Sequence, residues 1–237
     1  FCGETVRVHG AGRTDAGVHA TGQVCHFDSD ADRSMKSWVM GANRFLPDDV
    51  SVQWAQAVPD DFHARFKANR RRYRYVIYNH AAPPALFRRQ VTWNYRPLDV
   101  DAMIEASRYL VGTHDFTSYR SVHCQAKSPV KTLSRFHIHR QGPLIVLEVE
   151  GNAFLMHMVR NMAGVLMSIG AGKHPPVWAR EVLEARDRRK GGVTAPPFGL
   201  YLVDIGYPEP FVLPRPPLGP LWLTTLNAAD GGGADAP

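Results

Sequence analysis

The chain has 237 residues, of which 44% are hydrophobic and 21% are charged, so it can bury a substantial core as one large domain or two small ones. Its formal net charge of +6 favours an anionic partner, most commonly a nucleic acid. The three cysteines have no C-x-x-C spacing, which predicts neither a disulfide framework nor a zinc site and favours reduced thiols. No apolar run is long enough to span a membrane, and we expect a cytoplasmic protein.

A glycine-rich loop near the start of the chain is the first candidate functional segment. Residues 10–20 (GAGRTDAGVHA) follow a predicted short strand at 6–8 and carry one carboxylate, Asp15, two residues after Arg13. Asp15 replaces the third glycine of a dinucleotide-binding G-x-G-x-x-G pattern, and no Gly-Lys-Ser/Thr follows as in a P-loop. The loop is therefore either a turn capped by Asp15 or a catalytic loop that aims an acid and an arginine.

The elements predicted around this loop form an α+β unit. Alternation over 21–28 and an apolar run over 50–58 predict strands, and helical spacing predicts a helix over 34–45. With the loop and its preceding strand, these elements are what remains of a ferredoxin-like unit that has lost one strand and one helix. Because the chain opens with Phe1, we expect an upstream segment in the natural protein and low activity without it.

A strand predicted over 66–78 has a strongly basic beginning. Period-two alternation places Tyr73 and Tyr75 on one face and Arg72 and Arg74 on the other. Aromatic residues between arginines are typical of a surface that follows a nucleic-acid backbone and stacks on bases. A solvated edge strand protected by its charge is the alternative. Six basic residues and no acid occur over residues 65–74: Arg65, Lys67, Arg70, Arg71, Arg72 and Arg74.

The second part of the chain is predicted to combine helices with antiparallel strands. The most apolar helix is predicted over 153–169, where His157 and Arg160 are i, i+3 neighbours on one face. The basic run 186–190 is interpreted as a solvated helix end, and residues 226–237, rich in Gly and Ala, as a disordered tail. The remaining predicted elements are helices over 100–111 and 178–186, a hairpin of 130–140 and 143–150, and a buried strand over 200–205.

Several motifs in a fixed order carry a family resemblance. Residues 10–20, followed by TGQVCHF, resemble the signature of the TruA family of tRNA pseudouridine synthases, and the resemblance extends over residues 4–223. It implies an α+β fold of two ferredoxin-like (RNP-like) halves, 1–59 and 60–225, whose antiparallel sheets form a central basic cleft. The further similar segments are DFHARF at 61–66, RRYRYVIYN at 71–79, HDFTSYR at 114–120, FLMHMVRN at 154–161 and GLYLV at 199–203.

The resemblance also implies a reaction. Members of the family are isomerases that convert uridine to pseudouridine at positions 38, 39 and 40 of the tRNA anticodon stem-loop, as homodimers and without a metal or other cofactor. The C1′–N1 glycosidic bond breaks and the same uracil is rejoined through C5. Asp15 matches the nucleophile of the family. Attack at C1′, assistance of glycal formation and addition to uracil C6 all stay open as its route.

Further site residues follow from the same match. Tyr73 matches the active-site tyrosine that stacks on the target uracil, and acceptance of the C5 proton is open as a second role. Arg160 resembles the arginine that pairs with the catalytic Asp, and Arg13 resembles the residue that helps to extrude the target base. The basic strand and the shared helix face add four expected substrate-binding residues: Arg71, Arg72, Arg74 and His157.

Two other classes of function stay open from the sequence. A non-catalytic tRNA-binding protein or RNA chaperone would need the basic strand but not Asp15. A glycosidase-like hydrolase would need a second acid near Asp15, and none lies in its loop. The combination of Arg13, Asp15, Tyr73 and Arg160 favours the isomerase.

Overall fold

The computed structural model describes residue 3 and residues 5–223, and the predicted tail at 226–237 lies outside them. This part of the chain is a mixed α+β structure. Its helices are α1 (Met35–Phe45), α2 (Val100–Arg108), α3 (Met158–Gly170) and α4 (Trp178–Ala185). Its strands are β1 (His9–Gly10), β2 (His19–Ala20), β3 (Cys25–His26), β4 (Arg70–Asn79), β5 (Thr92–Asn94), β6 (Gly112–Asp115), β7 (Val130–Gln141), β8 (Leu144–Gly151) and β9 (Leu200–Gly206).

A mixed seven-stranded sheet is the frame of the structure. Its order is β2-β9-β4-β8-β7-β6, and β5 pairs with β4 in parallel. Strand β4 is antiparallel to both β8 and β9, whereas β2 joins β9 in parallel through the register His19↔Tyr201. The glycine-rich loop between β1 and β2 is thereby fixed to the edge of a sheet whose other strands come from residues 70–206.

One face of β4 lies in the main hydrophobic core. Tyr75 and Ile77 are fully buried there against helix α3, which contributes Met162 and Leu166. Burying side chains of this size stabilises the fold by about 1.5–3 kcal/mol each. Val76 faces a second, smaller cluster, so the predicted period-two alternation of β4 is confirmed.

The opposite face of β4 carries a ladder of ion pairs. Arg74 contacts Glu148 at 2.8 Å, and both side chains are only 8% exposed. Arg72 contacts Glu150 at 2.6 Å, and Glu150 is shared with Arg70 at 3.0 Å. Because β8 is the antiparallel neighbour of β4, its acids lie directly beside the arginines. The ladder neutralises most of the basic row within the sheet.

Several predicted elements are confirmed and several are wrong. Helix α1 begins after Ser34, whose hydroxyl accepts a hydrogen bond from the Ser37 amide, and the hairpin of β7 and β8 is present. The strand predicted over 50–58 is absent from the described residues. The Asn43 side chain there donates to the Val52 carbonyl at 2.9 Å and accepts from its amide at 2.6 Å, in place of a neighbouring strand.

Three predicted boundaries were also wrong. The first short strand is β1 at His9–Gly10 rather than 6–8, and β4 begins at Arg70 because residues 64–66 form a turn. Helix α3 begins at Met158 rather than near 153, since His157 adopts a left-handed backbone that a helix cannot include.

Removing one partner of the buried pair should destabilise the protein strongly. We expect Glu148→Gln to lower the free energy of unfolding by about 3 kcal/mol, because Arg74 then remains buried without a compensating charge. Urea denaturation measures the change. The control is Glu184→Gln, in an exposed pair with Arg180, which should change stability by less than about 0.5 kcal/mol. Equal effects of the two substitutions would contradict the prediction.

Candidate active site

The glycine-rich loop is held by hydrogen bonds from its own neighbourhood. Gln23 accepts from the Gly12 amide at 3.3 Å and donates to the Gly12 carbonyl at 2.7 Å, and the Ala11 amide donates to Val24 at 2.8 Å. Gly17 has a φ of 82°, and a Cβ added there would lie 3.0 Å from Phe198. A glycine is therefore required at this turn for both conformation and space.

Asp15 meets two nitrogen groups from the beginning of helix α3. Its Oδ2 atom lies 3.1 Å from His157 Nε2 and 3.4 Å from Arg160 Nη1. Its Oδ1 atom makes no hydrogen bond with any residue that the structure describes. The side chain is 35% exposed, whereas Arg160 is 13% exposed. One carboxylate oxygen is thus held by the protein while the other is available to a bound molecule.

His157 reaches Asp15 through an unusual backbone. Its φ is 61° and its ψ is 7°, a left-handed conformation that is strained for a residue other than glycine. Burial and the nearby Arg160 lower the pKa of the imidazole, Arg188 and His123 act in the same direction, and Asp15 opposes them. The ring is therefore neutral at pH 7, and with its proton on Nε2 it donates to Asp15. His157 contacts Asp15 in this structure, and its predicted contact with substrate stays a prediction.

Tyr73 lies in the middle of the sheet, beside the glycine-rich loop. Its ring packs edge-on against Phe154 with centroids 4.9 Å apart, and a Cβ added at Gly12 would lie 3.8 Å from its hydroxyl. Burial raises the pKa of the phenol to about 12; Arg71 lowers it and Asp15 adds to the rise. The hydroxyl is therefore protonated at neutral pH and is poorly suited to accept a proton.

The other predicted arginines divide into two groups. Arg71 donates to the carbonyls of Arg65, Ala68 and Asn152, at 2.8, 2.8 and 2.9 Å. With Arg72 and Arg74 in the ion-pair ladder, these contacts show that the basic row is paired within the protein rather than free. The sequence pattern missed this pairing because the neutralising acids come from strands remote in sequence. Substrate binding by these arginines stays a prediction.

Arg13 behaves differently from the strand arginines. It is exposed in the glycine-rich loop and makes no hydrogen bond or ion pair with the described residues. Its guanidinium is therefore available to a ligand that approaches Asp15.

Sequence reasoning missed the residues that hold Arg160. Arg160 Nε donates to the Ala195 carbonyl at 2.9 Å, and the Ala195 amide donates to the Arg160 carbonyl at 3.1 Å. Behind this contact lie Asn161 and Arg188, joined at 3.1 Å. The interpretation of 186–190 as a solvated end was wrong for Arg188, and no sequence signal separates it from its basic neighbours.

Two classes of site find no support in the part of the chain that the structure describes. Residues 3 and 5–223 contain no group of three or more His, Cys, Asp or Glu side chains that could hold a metal ion. Over the same residues, every helix is too short or too polar to cross a membrane.

Together these contacts define a class of site. A carboxylate with one oxygen held by an arginine and a histidine, and one oxygen open, is suited to nucleophilic catalysis. Residues 2–67 and 106–208 of the chain match the family model described as tRNA pseudouridine synthase. The chain belongs to the tRNA pseudouridine synthase family, whose members are isomerases that modify tRNA.

Relatives of high identity carry the same description. The chain is 72% identical over 219 residues to tRNA pseudouridine synthase A of Alcanivorax borkumensis, a match that covers 92% of this chain and 82% of the relative. It is 61% identical over 223 residues to the protein of that name from Pseudomonas aeruginosa, with 94% and 78% covered. For the Coxiella burnetii protein of that name, the identity is 55% over 213 residues, with 90% and 82% covered.

The lowered pKa of His157 predicts a pH dependence of stability. The folded state binds its proton less readily than the unfolded state, so acidification through the ordinary histidine pKa of about 6.5 favours unfolding. We expect His157→Asn, which keeps a side chain tolerant of left-handed backbone, to flatten the fall in unfolding free energy between about pH 7.5 and 5.5. Urea titrations across this range measure the slope. A slope equal to that of the wild type would contradict the prediction.

Proposed function

We propose that the chain converts uridine to pseudouridine at positions 38, 39 and 40 of the tRNA anticodon stem-loop, with Asp15 as the nucleophile and without a cofactor. The observation that carries this proposal is the contact of Asp15 Oδ2 with both Arg160 and His157. It places a single oriented carboxylate on the loop through which the chain resembles its family. The names of the similar proteins support the substrate class, tRNA.

In this mechanism the open oxygen of Asp15 is the attacking atom. Arg160 and His157 bind Oδ2 and orient the carboxylate, so Oδ1 is free to form the bond to the nucleotide. Attack at C1′ forms an Oδ1–C1′ ester bond and displaces uracil as its N1 anion. The uracil rotates and its C5 attacks C1′, which breaks the ester bond and releases the Asp15 carboxylate. Loss of the C5 proton and protonation of N1 then complete the C-glycoside. Attack at C6 would use the same oxygen and the same contacts.

Two further residues have proposed roles in handling the base. Tyr73 stacks on the target uracil, a contact worth about 1–3 kcal/mol per base, and its raised pKa favours this role over that of a base. Arg13, which is exposed and unpaired among the described residues, holds a phosphate and helps to extrude the uridine from its stack.

The finer architecture is also a proposal. We infer two ferredoxin-like halves, 1–59 and 60–225, that flank a cleft in a cytoplasmic homodimer. Support comes from the site itself, since Asp15 belongs to the first half and Arg160 to the second. Binding by shape and backbone suits a substrate whose target uridines occupy neighbouring positions of one stem-loop.

The nucleophile is tested by tritium release from tRNA labelled with [5-³H]uridine. We expect Asp15→Asn to reduce release by more than about 10³-fold while tRNA binding stays within about threefold, because the amide cannot form the adduct. Asp61→Asn is the matched control, since Asp61 is exposed and, among the described residues, pairs only with Lys67. Release by Asp15→Asn at the wild-type rate would remove Asp15 from its role. Binding without release by the wild type would favour a non-catalytic RNA-binding protein.

The partner of the nucleophile is tested with Arg160→Lys. Lysine keeps the charge but cannot bind Ala195 and Asp15 at once with a planar fork, so we expect release about 10–100-fold slower at unchanged tRNA affinity. Single-turnover rates and binding curves separate the two quantities. A loss of affinity with an unchanged rate would assign Arg160 to substrate binding instead.

A further inference from the structure

We propose that Arg188 is a positioning residue: it fixes the segment 191–195 that orients Arg160, and through Arg160 it orients Asp15. The inference rests on the proposed function of Asp15 and Arg160. It concerns a residue outside every motif from which the family resemblance was drawn.

The guanidinium of Arg188 donates hydrogen bonds to the residues that follow it in the chain, 191–194, and so holds this short loop. Its Nη1 atom donates to the carbonyls of Gly191 and Gly192, at 3.1 and 3.0 Å. Its Nη2 atom donates to the Thr194 hydroxyl at 2.8 Å and to the Asn161 side chain at 3.1 Å. Four hydrogen bonds from one planar group leave the loop little freedom, and a lysine ammonium cannot reproduce this geometry.

Asn161 connects the loop to helix α3 next to Arg160. The residue is 2% exposed, and its Oδ1 atom accepts from both Arg188 and Thr194, the latter at 2.6 Å. Its amide group donates to the Tyr119 carbonyl at 2.8 Å, which ties the network to the hydrophobic core. A buried polar network in which the members are satisfied holds its parts in one arrangement.

The residues that follow this loop contact both Arg160 and the glycine-rich loop that carries Asp15. Ala195, one residue after Thr194, exchanges two hydrogen bonds with Arg160. Phe198, three residues further on, packs against Gly17 in the glycine-rich loop. A shift of the segment would therefore move Arg160 and the Asp15 loop relative to one another.

The contact between Arg160 and Asp15, which depends on this segment, is sensitive to a small displacement. Arg160 Nη1 lies 3.4 Å from Asp15, at the long end of hydrogen-bond distances. A displacement of about 1 Å at such a pair can cost about 10²-fold in rate. Arg188 also adds positive charge near the site, since it contributes to the lowered pKa of His157. A test must separate the effect of this charge from the effect of the four hydrogen bonds that Arg188 donates.

The first experiment compares single-turnover tritium release from [5-³H]uridine-labelled tRNA by Arg188→Gln, Arg188→Lys and Arg189→Gln. We expect Arg188→Gln to be about 10–100-fold slower with tRNA affinity within about threefold, and Arg188→Lys to restore little, because the lysine keeps only the charge. Arg189 is the matched control: its side chain is 89% exposed, it pairs with Asp187, and its substitution should leave the rate unchanged. Full activity of Arg188→Lys would overturn the inference, because a lysine cannot make the four hydrogen bonds of Arg188.

The second experiment repeats Arg188→Gln in the Arg160→Lys background. A residue that acts through Arg160 should cause no further loss there, whereas an independent or merely structural effect should multiply with the first loss and overturn the inference. Thr194→Val, which removes one hydroxyl of the same network, should slow release in the same direction at unchanged affinity. If the wild type releases tritium and Arg188→Gln releases it at the same rate, this inference alone is wrong. If the wild type releases no tritium, the proposed function is wrong.

Discussion

The contact between Asp15 and Arg160 joins residues 145 positions apart in the chain, and the surrounding structure is what allows it. Strand β2 pairs with β9 and so fixes the glycine-rich loop against a sheet formed by later residues. Helix α3 packs on that sheet and presents Arg160 at its beginning. Since a charged pair gains most when its partners are oriented in advance, sheet pairing and helix packing are the physical basis of the site.

The placement of positive charge follows from the same frame. The densest basic run of the sequence lies in β4, the central strand, where acids of β8 and β9 neutralise it. Arg70, for example, contacts both Glu150 at 3.0 Å and Asp204 at 2.6 Å. An arginine inside a sheet must be paired, because an unpaired buried charge is very costly. The charge that remains near Asp15 comes from residues scattered through the sequence, namely Arg13, Arg160 and Arg188.

The backbone is strained at His157, directly before helix α3. His157 ends the turn that precedes α3 in a left-handed conformation, and this geometry brings its imidazole to Asp15. Such a conformation costs about 1–3 kcal/mol and persists only where the surroundings impose it. On either side of His157, Leu155 and Met158 are buried, both 4% exposed or less, and the Met158 amide donates to the Leu155 carbonyl at 3.0 Å across the turn.

The amino-acid sequence by itself determined the α+β class, the loop that carries Asp15, the alternation of β4 and most helices, because glycine spacing, caps and apolar periodicity are local properties. It also determined the family, since its motifs are short and ordered. Only the tertiary structure decided that Arg72 and Arg74 are neutralised, that His157 faces Asp15 and that Arg188 holds the segment behind Arg160. Each of these depends on partners from distant strands and loops, and no local pattern encodes which residues a folded sheet will bring together.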